Sequence, residues 1–420
     1  MGYGGGCLRA RWDKLIYAKK KAIKMRSDHS NIKGVVVTSG GSPSNSLGVI
    51  RGFGRRGIPV IYLDSLPTSI VRYSKYISSH IKCPSSNSES AFIKILLNFG
   101  KQTRDRMMII PTGDNDVLAL SKYKCELEQF YHLPVSTYKT VHNLLNKKKF
   151  YKLLAEMNIP HPKTYFPKNL NDLRSTGQRV AYPYIIKPAN SLAFREEFGK
   201  KCFVINSTLE LDQAISKLKD KNLEVMIQEI IPGNKIYVFY TYFNAKSEPL
   251  AACGYDKIRQ YPLDFGSGTF CKSIWRSSPI NECFRLLKEI KYHGFAEPEF
   301  KMDPRDKKYK LLEINPRTTL QNRLASAFGV DIEYIAYLDA LGQFTKKSFS
   351  FRKNVLWSDD FQDLRSCFSL LRRGEFGRKD IPQLLNIRTV HTIAAWDDPL
   401  PIFFDITNFF RARFKSPANG

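Results

Sequence analysis

Short apolar runs alternate with amphipathic segments over the first third of the chain. The run GVVVT (34–38) predicts a buried strand, a Gly/Ser loop follows, and LGVIRGFGRRG predicts a helix that leads to a second strand, PVIYLD. A helix at 89–99 and the strand MMIIPT (107–112) continue this order. Strands that alternate with helices form doubly wound sheets. We therefore expect an α/β domain of this kind over residues 31–144.

The Gly/Ser loop Ser39–Ser46 lies between the first strand and the start of the helix. Its backbone N–H groups could hold an anion there, with Asp64 as an acceptor for a hydroxyl group, and an ordinary tight turn is an equal alternative. The GxGxxG match in GFGRRG (52–57) is false because it falls at the C-terminal end of the helix. The sequence GxxxxGK[ST] does not occur, which argues against a P-loop nucleotide site.

Strands dominate the middle of the chain, and they do not alternate regularly with helices. LNKKKFYKLLAEMNIP predicts a basic amphipathic helix, and strands are predicted in YPYIIKPAN, LEVMIQEIIPGN, KIYVFYTYF and LAACGYDKI. FAEPEFKM and KYKLLEIN predict a hairpin that turns at DPRDK. We expect an α+β region from residue 145 to residue 345, with a basic N-terminal extension at 1–30 and a C-terminal extension at 346–420.

The predicted hairpin carries polar side chains that alternate toward one face. If the turn centres near Arg305–Asp306, Glu299 lies across from Glu313, and Asn315 and Arg317 follow with the same alternation. Carboxylates directly opposite one another repel, so a cation is expected between them. Two carboxylates and an amide oxygen suit Mg²⁺, with Mn²⁺ as an alternative, and nucleotide phosphates complete the shell of such an ion. A solvated acidic hairpin edge is the other interpretation.

Two lysines upstream of the hairpin need anionic partners. Lys187 ends the apolar strand YIIK, so its stem is expected to be buried while its ammonium finds a partner. Lys147 begins a helix after Asn146, where a solvated lysine is the common outcome. The two could converge on a phosphate chain, and Arg317 beside the acids could balance the charge of that phosphate.

Composition narrows the class of protein. The 420 residues are 43% hydrophobic, which is ample for a core, and the net charge of +27 favours acidic or phosphorylated partners, with a basic solvated surface as the equal alternative. No basic run is interleaved with aromatic residues, which argues against nucleic acid. The eight cysteines show no CxxC pair, and neither a signal peptide nor a membrane-spanning apolar run is apparent. We expect a cytoplasmic protein with reduced thiols.

Four segments together resemble the ATP-grasp superfamily, namely NKKKFY…MNIPHPKTY, YIIKPA, MIQEIIPG and GFAEPEFKMDPRDKKYKLLEINPR. Within it, they are similar to the carboxylate–amine ligase-like set that includes D-aspartate ligases. The resemblance covers most of the chain. It implies a fold of α/β and α+β class, with a doubly wound, Rossmann-like pre-ATP-grasp domain and a two-subdomain ATP-grasp fold at 145–345. A small lid subdomain (145–230) and a larger subdomain (231–345) would grip ATP between them, and a small C-terminal extension would follow.

The resemblance also implies roles for particular residues. Two lysines would bind phosphates, a hinge and its neighbours would bind the adenosine, three oxygen donors would bind Mg²⁺, and two arginines would be catalytic. By position these residues are Lys147 and Lys187; Gln228, Glu229, Ile230, Ile231 and Asn234; Glu299, Glu313 and Asn315; and Arg317 and Arg259. One departure is Lys235, because relatives carry an acid there that holds the ribose hydroxyls, and Asn234 is the candidate substitute.

The activity that the resemblance implies is that of an ATP-dependent ligase with small-molecule carboxylate and amine substrates. A carboxylate would attack the γ-phosphate of ATP, and an amine would displace phosphate from the acyl phosphate to form a C–N bond. The net charge favours an acidic precursor, such as one of the cell envelope. Another ATP-grasp phosphotransferase, or a non-catalytic nucleotide- or nucleic-acid-binding protein, is the alternative. Peripheral contact of the C-terminal PIFFDITNFFRARF with a membrane is left open.

Overall fold

The computed structural model describes most of the chain and contains three β-sheets. The residues described are 32–66, 69–103, 105–189, 191–221, 223–343, 346–349, 352, 354–377 and 389–414. Within them the chain forms a five-stranded, a four-stranded and a seven-stranded sheet. The predicted N-terminal extension (1–30) lies outside the described residues.

The first sheet is parallel and has the strand order β3-β2-β1-β4-β5. Its strands are β1 Val35–Val37, β2 Val60–Asp64, β3 Ser79–Lys82, β4 Met107–Ile110 and β5 Tyr131–His132. The helices around it are α1 Pro43–Gly54, α2 Glu89–Gln102, α3 Asp114–Lys122 and α4 Lys124–Leu127, with a 3-10 turn at Ile70–Tyr73. β1 and β4 are buried along their whole length, as expected of central strands in a sheet covered on both faces. This is the doubly wound arrangement that the sequence predicts.

Helix α1 begins and ends as its sequence indicates. Pro43 occupies the first turn, where its missing N–H leaves no intrahelical hydrogen bond unmade. Gly57 adopts φ +71° just beyond the helix, a conformation that favours glycine. The GFGRRG segment is therefore the end of a helix and not a phosphate-binding loop.

The second sheet is antiparallel and has the order β6-β9-β7-β8. Its strands are β6 Thr164–Tyr165, β7 Tyr184–Pro188, β8 Phe203–Ile205 and β9 Val225–Glu229. The helices in this part are α5 Tyr138–Leu145, α6 Lys147–Glu156, α7 Leu170–Arg179, α8 Ser191–Phe198 and α9 Thr208–Leu218. Asn146 separates α5 from α6, and its side chain accepts a hydrogen bond from Lys149 N at 3.0 Å. This cap sets the start of the basic helix, so that Lys147 is its first residue.

The third sheet has seven strands in the order β14-β13-β10-β11-β12-β15-β16. Its strands are β10 Ile236–Phe243, β11 Pro249–Tyr261, β12 Ser267–Ser273, β13 Gly294–Met302, β14 Tyr309–Asn315, β15 Leu356–Ser358 and β16 Val390–His391. The helices are α10 Ser277–Glu289, α11 Asn322–Phe328, α12 Ile332–Ala340, α13 Asp360–Arg372 and α14 Leu400–Phe414. β15 pairs with β12, so part of the predicted C-terminal extension completes this sheet.

The first and third sheets share one hydrophobic core. Leu47 and Phe53 of α1 belong to the same buried cluster as Tyr240 of β10 and Leu324 and Phe328 of α11. Burial of apolar surface is the main favourable term in such packing. The shared core therefore fixes the parallel sheet against the larger sheet that carries the predicted hairpin.

Candidate active site

The β13–β14 hairpin has the register that the sequence predicts. Glu299 lies opposite Glu313, and Glu297 lies opposite Asn315. The pairing shifts between Glu299 and Phe300, which is the mark of a β-bulge. Two carboxylates therefore face each other at the end of a sheet, with the amide of Asn315 two residues further along.

A lysine that the sequence analysis missed lies against these carboxylates. Lys257 of β11 donates to Glu299 Oε2 at 2.7 Å and to Gly266 O at 3.3 Å, and its side chain is only 7% exposed. Burial raises the pKa of Glu299, and repulsion from Glu313 adds to this, while Lys257 opposes it. Alternation along LAACGYDKI was the available signal, because a strand residue two positions after Tyr255 points to the same face.

The second carboxylate is surrounded by positive charge. Lys147 Nζ lies 3.8 Å from Glu313 Oε2. Burial alone would raise the pKa of Glu313, but attraction from Lys147, Lys257, Lys201 and Lys187 outweighs it and lowers the pKa to about 2. Because 45% of the Glu313 side chain is exposed, solvent screens part of this attraction. The group is ionised at neutral pH and faces lysines from the second sheet.

Lys187 is held by an aromatic side chain of helix α6. Its ammonium donates to Tyr151 Oη at 3.0 Å and lies 4.7 Å from the centre of that ring. Tyr151 donates in turn to Leu312 O at 2.6 Å, which ties α6 to β14. Burial lowers the pKa of Lys187 to about 8 and raises that of Tyr151 to about 12. Both predicted phosphate lysines thus lie around the hairpin acids: Lys147 pairs with Glu313, and attraction from Glu313 partly opposes the lowering of the Lys187 pKa.

Asn315 and Arg317 are oriented by a buried carboxylate, that of Glu297. Glu297 accepts hydrogen bonds from Tyr255 Oη at 2.7 Å, from the Thr319 hydroxyl, and from Asn315 Nδ2 at 3.3 Å. Because the amide nitrogen of Asn315 donates to Glu297, its amide oxygen is the atom that can bind a cation. Arg317 Nη1 lies 3.7 Å from Glu297 Oε2. Sequence analysis missed Glu297, although it alternates with Glu299 along β13.

Arg317 also joins the two large sheets. Its Nε donates to Asp114 Oδ1 at 2.9 Å, at the first residue of α3. Thr318 N donates to Pro111 O at 3.2 Å. The carboxyl edge of the parallel sheet, where ligands of doubly wound domains bind, therefore borders the hairpin acids.

Comparisons with known proteins agree with this geometry. The model of the family described as carbamoyl-phosphate synthase L chain, ATP binding domain, matches residues 275–346. A D-aspartate ligase from Enterococcus faecium (strain Aus0004) is 27% identical over 262 residues, which cover 59% of this chain and 62% of the relative. The match thus covers less than two thirds of that ligase.

Solved structures show the same fold. A biotin carboxylase–β,γ-ATP complex from Campylobacter jejuni superposes with a TM-score of 0.62 at 14% identity, over 78% of this chain and 75% of that one. An L-amino acid ligase from Bacillus licheniformis gives 0.57 at 14% identity, over 75% of each chain. These structures share the ATP-grasp fold, and the mixed α/β fold that the sequence predicts is confirmed. The comparisons agree with the expected resemblance to the ATP-grasp superfamily.

The predicted adenosine-binding residues lie at the end of β9 and in the turn beyond it. Gln228 is buried and its side chain donates to Thr164 Oγ1 at 2.7 Å. The Glu229 carboxylate accepts from Lys163 N and pairs with Arg305 at 2.9 Å. Ile230 and Ile231 follow, with Ile231 buried, and Asn234 and Lys235 are exposed. The roles of these residues stay predictions.

Arg259 occupies an environment different from the one the sequence analysis expects of a catalytic residue. It forms a buried ion pair with Asp363 of α13, with Nε to Oδ1 at 2.9 Å and Nη2 to Oδ2 at 2.6 Å. Its guanidinium also lies 4.1 Å from the centre of the Phe270 ring. The guanidinium is thus bound to a carboxylate of the C-terminal segment.

A carboxylate of helix α3 fills the space at the loop Ser39–Ser46. The buried carboxylate of Asp116 accepts hydrogen bonds at 3.0 Å from both Gly40 N and Gly113 N. Asp64 pairs with Arg72 at 2.7 Å. These contacts favour an ordinary, internally satisfied loop over an external anion site.

The predicted metal ligands offer a set of oxygen atoms only. Among the described residues, no group of three or more Asp, Glu, His or Cys side chains is arranged to hold a metal ion. A site formed by Glu299, Glu313 and the Asn315 amide has two carboxylates, so it does not require such a group. Oxygen donors and few protein ligands fit Mg²⁺, which keeps room for water and phosphate oxygens. Lys257, bound to Glu299, supplies positive charge beside the two acids.

Proposed function

We propose that this chain is an ATP-grasp enzyme, an ATP-dependent carboxylate–amine ligase that acts through an acyl phosphate. The observation that carries the proposal is the pairing of Glu299 with Glu313, with Lys147 and Lys187 around the second acid. Carboxylates that hold Mg²⁺ and lysines that hold phosphates are what a reaction of ATP requires.

The chain's own groups would position the nucleotide and neutralise charge. Glu299, Glu313 and Asn315 would hold Mg²⁺, which would supply positive charge to offset that of the phosphates. Lys147 and Lys187 would bind the phosphate chain, and Arg317 would balance charge on the group that is transferred. Mn²⁺ suits the same oxygen donors.

Bond making and breaking would then proceed in two steps. An oxygen of the substrate carboxylate attacks the γ-phosphorus, the bond to the bridging oxygen breaks, and ADP leaves. The amine nitrogen attacks the acyl carbon, the C–O bond to phosphate breaks, and the amide forms with loss of a proton from nitrogen. Water must be excluded between the steps because it would hydrolyse the acyl phosphate.

An acidic amino acid is the substrate class that we favour. The relative named D-aspartate ligase supports it, and so does the net charge of +27. An envelope precursor would be the partner molecule in such a reaction. We place the reaction in the cytoplasm, where ATP is available and thiols stay reduced. Among the described cysteines, free thiols are found at Cys83, Cys125, Cys202, Cys253, Cys271 and Cys283. No helix in the described part of the chain is long and apolar enough to cross a membrane.

The test is a phosphate-release assay with ATP, Mg²⁺ and pooled carboxylates and amines, beginning with D-aspartate, followed by mass spectrometry of the product. The proposal expects an amide whose formation matches the phosphate released. A phosphorylated product formed without any amine would indicate a phosphotransferase. Retention on DNA without ATP, with a steep dependence on salt, would indicate a nucleic-acid-binding protein.

A further inference from the structure

Helix α13 of the C-terminal segment packs on the β11–β12 hairpin, and this contact bears on the reaction. The hairpin carries Lys257, and it ends in the residues 262–266, which we name the cleft loop. Asp363 of α13 binds Arg259 of β11, and it accepts a hydrogen bond from the Thr269 hydroxyl of β12 at 3.0 Å. One carboxylate thus holds both strands of the hairpin.

The ion pair at this point is buried on both sides. The side chains of Arg259 and Asp363 are each 4% exposed. Burying two charges is costly, so such a pair adds little stability, whereas loss of one partner leaves an uncompensated charge. A pair of this kind is suited to specifying one position of the hairpin, because the bidentate contact is lost when the strands shift.

The cleft loop makes contacts on three sides. Asp264 pairs with Arg373 of the α13 terminus at 2.8 Å, Phe265 O accepts from Lys201 Nζ at 2.7 Å, and Gly266 O accepts from Lys257 Nζ at 3.3 Å. Lys201 belongs to the segment before β8 of the four-stranded sheet. The loop therefore connects α13, the second sheet and the lysine bound to Glu299.

The tight path of the cleft loop depends on its last residue. A Cβ atom at Gly266 would lie 2.0 Å from Pro262 O, so a larger residue cannot occupy this place without a shift of the backbone. The carbonyl groups that meet Lys201 and Lys257 are therefore set by a compact turn. Its base is the part of the hairpin that Arg259 and Thr269 tie to Asp363.

We propose that Asp363 is a positioning residue for the ligase reaction. Through Arg259 and Thr269 it holds the cleft loop over the carboxylate site, where the loop meets Lys201 and keeps water from the acyl phosphate. The inference rests on the proposed ligase function for its chemical consequence. The structural claim does not depend on that function: Asp363 fixes the position of the β11–β12 hairpin and slows hydrogen exchange of its backbone amides.

The experiment compares Asp363→Asn with Asp363→Glu, with Thr269→Val and with the control Asp212→Asn. Asp212 forms an exposed ion pair with Arg174, far from the hairpin in sequence. Hydrogen exchange is followed over residues 260–269 and over β14 in the full chain. The second measurement is the ratio of hydroxamate formed to phosphate released, with ATP, Mg²⁺, D-aspartate and hydroxylamine as the probes.

For Asp363→Asn we expect exchange over 260–269 to accelerate about tenfold or more, with β14 unchanged, because the hairpin opens locally. Phosphate release should persist while the ratio of hydroxamate to phosphate falls about tenfold, since water reaches the acyl phosphate. Asp363→Glu should restore part of the ratio, and Asp212→Asn should match the wild type. A purely structural role would lower both products together and leave the ratio constant.

Unchanged exchange over 260–269 in Asp363→Asn would overturn the inference, and so would an unchanged ratio. If this variant does not fold, Thr269→Val replaces it. Thr269→Val should also accelerate exchange over 260–269 and lower the ratio of hydroxamate to phosphate, both by smaller factors, since it removes one hydrogen bond and no charge. If the wild type forms no hydroxamate with any acid tested, the ligase proposal fails. The exchange data would then still decide whether Asp363 positions the hairpin.

Discussion

The pKa of Lys187 predicts how the activity with ATP depends on pH. Burial lowers its pKa from 10.5 to about 8. With that value the ammonium is charged in about nine tenths of molecules at pH 7 and in about one tenth at pH 9. Only the charged form attracts phosphate, so we expect kcat/KM for ATP to fall about tenfold between these pH values.

Tyr151 and Lys257 do not cause a decline in activity between pH 7 and pH 9. Burial holds the pKa of Tyr151 at about 12, so it stays protonated. Burial lowers the pKa of Lys257, but attraction from Glu299 and Glu313 outweighs this and raises it above its usual value. Bound phosphate favours the charged form of Lys187, so the decline belongs to kcat/KM, which reports the free enzyme, and should be weaker in kcat.

The assay is initial-rate phosphate release at subsaturating ATP from pH 6.5 to 9.5, with Lys187→Arg as the comparison. Arginine stays charged throughout this range, so the variant should lose the alkaline decline even if its rate is lower. The variant also shows any titration of ATP itself, which both proteins share. An equal decline in the two proteins would refute the assignment to Lys187.

Three further outcomes follow from contacts in the structure. Glu313→Gln should reduce ATP turnover about a hundredfold or more while the protein stays folded, because the side chain is 45% exposed and solvent screens the charge that is lost; turnover near the wild-type rate would contradict the metal assignment. Glu297→Gln should lower both activity and unfolding free energy, the latter by about 1–3 kcal/mol in urea titrations, because an amide nitrogen would face hydrogen-bond donors. Arg51→Ala should cost about 3–5 kcal/mol in the same titration, since Asp398 is left buried and unpaired, and a loss below about 1 kcal/mol would argue against it.

Local patterns predicted the elements of the candidate site well. The predicted pairing of Glu299 with Glu313 is correct, but a turn at Arg305–Asp306 alone pairs Phe300 with Leu311. The β-bulge between Glu299 and Phe300 supplies the extra residue that brings the two acids opposite each other. The start of α6 at Lys147 follows from the capping side chain of Asn146. Both features depend on neighbours in sequence.

Contacts between distant segments were not predictable in this way. Lys257 of β11 reaches across β10 to Glu299 of β13. This contact depends on the order of the strands in the sheet, and the sequence of a single strand does not reveal that order. Asp363 binds Arg259 across a long separation in sequence, and the C-terminal segment showed no pattern of its own. The predicted catalytic role of Arg259 relied on its position along the chain. The sequence alone did not indicate that Asp363 is its buried partner.

The loop Ser39–Ser46 illustrates a different limit. Glycines before a helix predict free backbone N–H groups, but sequence does not tell whether the protein fills the space itself. Here Asp116 accepts hydrogen bonds from Gly40 and Gly113 after the chain has returned from β4. An anion-binding motif and an internally satisfied turn therefore look alike until the fold is known.

Strands β15 and β16 form the last positions of the large sheet, and they come from the end of the chain. Until they emerge from the ribosome, the backbone of β12 presents an unpaired edge that other nascent chains can join. Shortened versions that stop before Leu356 would keep that edge permanently and should precipitate on expression. Recombinant work on this protein therefore needs boundaries that retain the final strands.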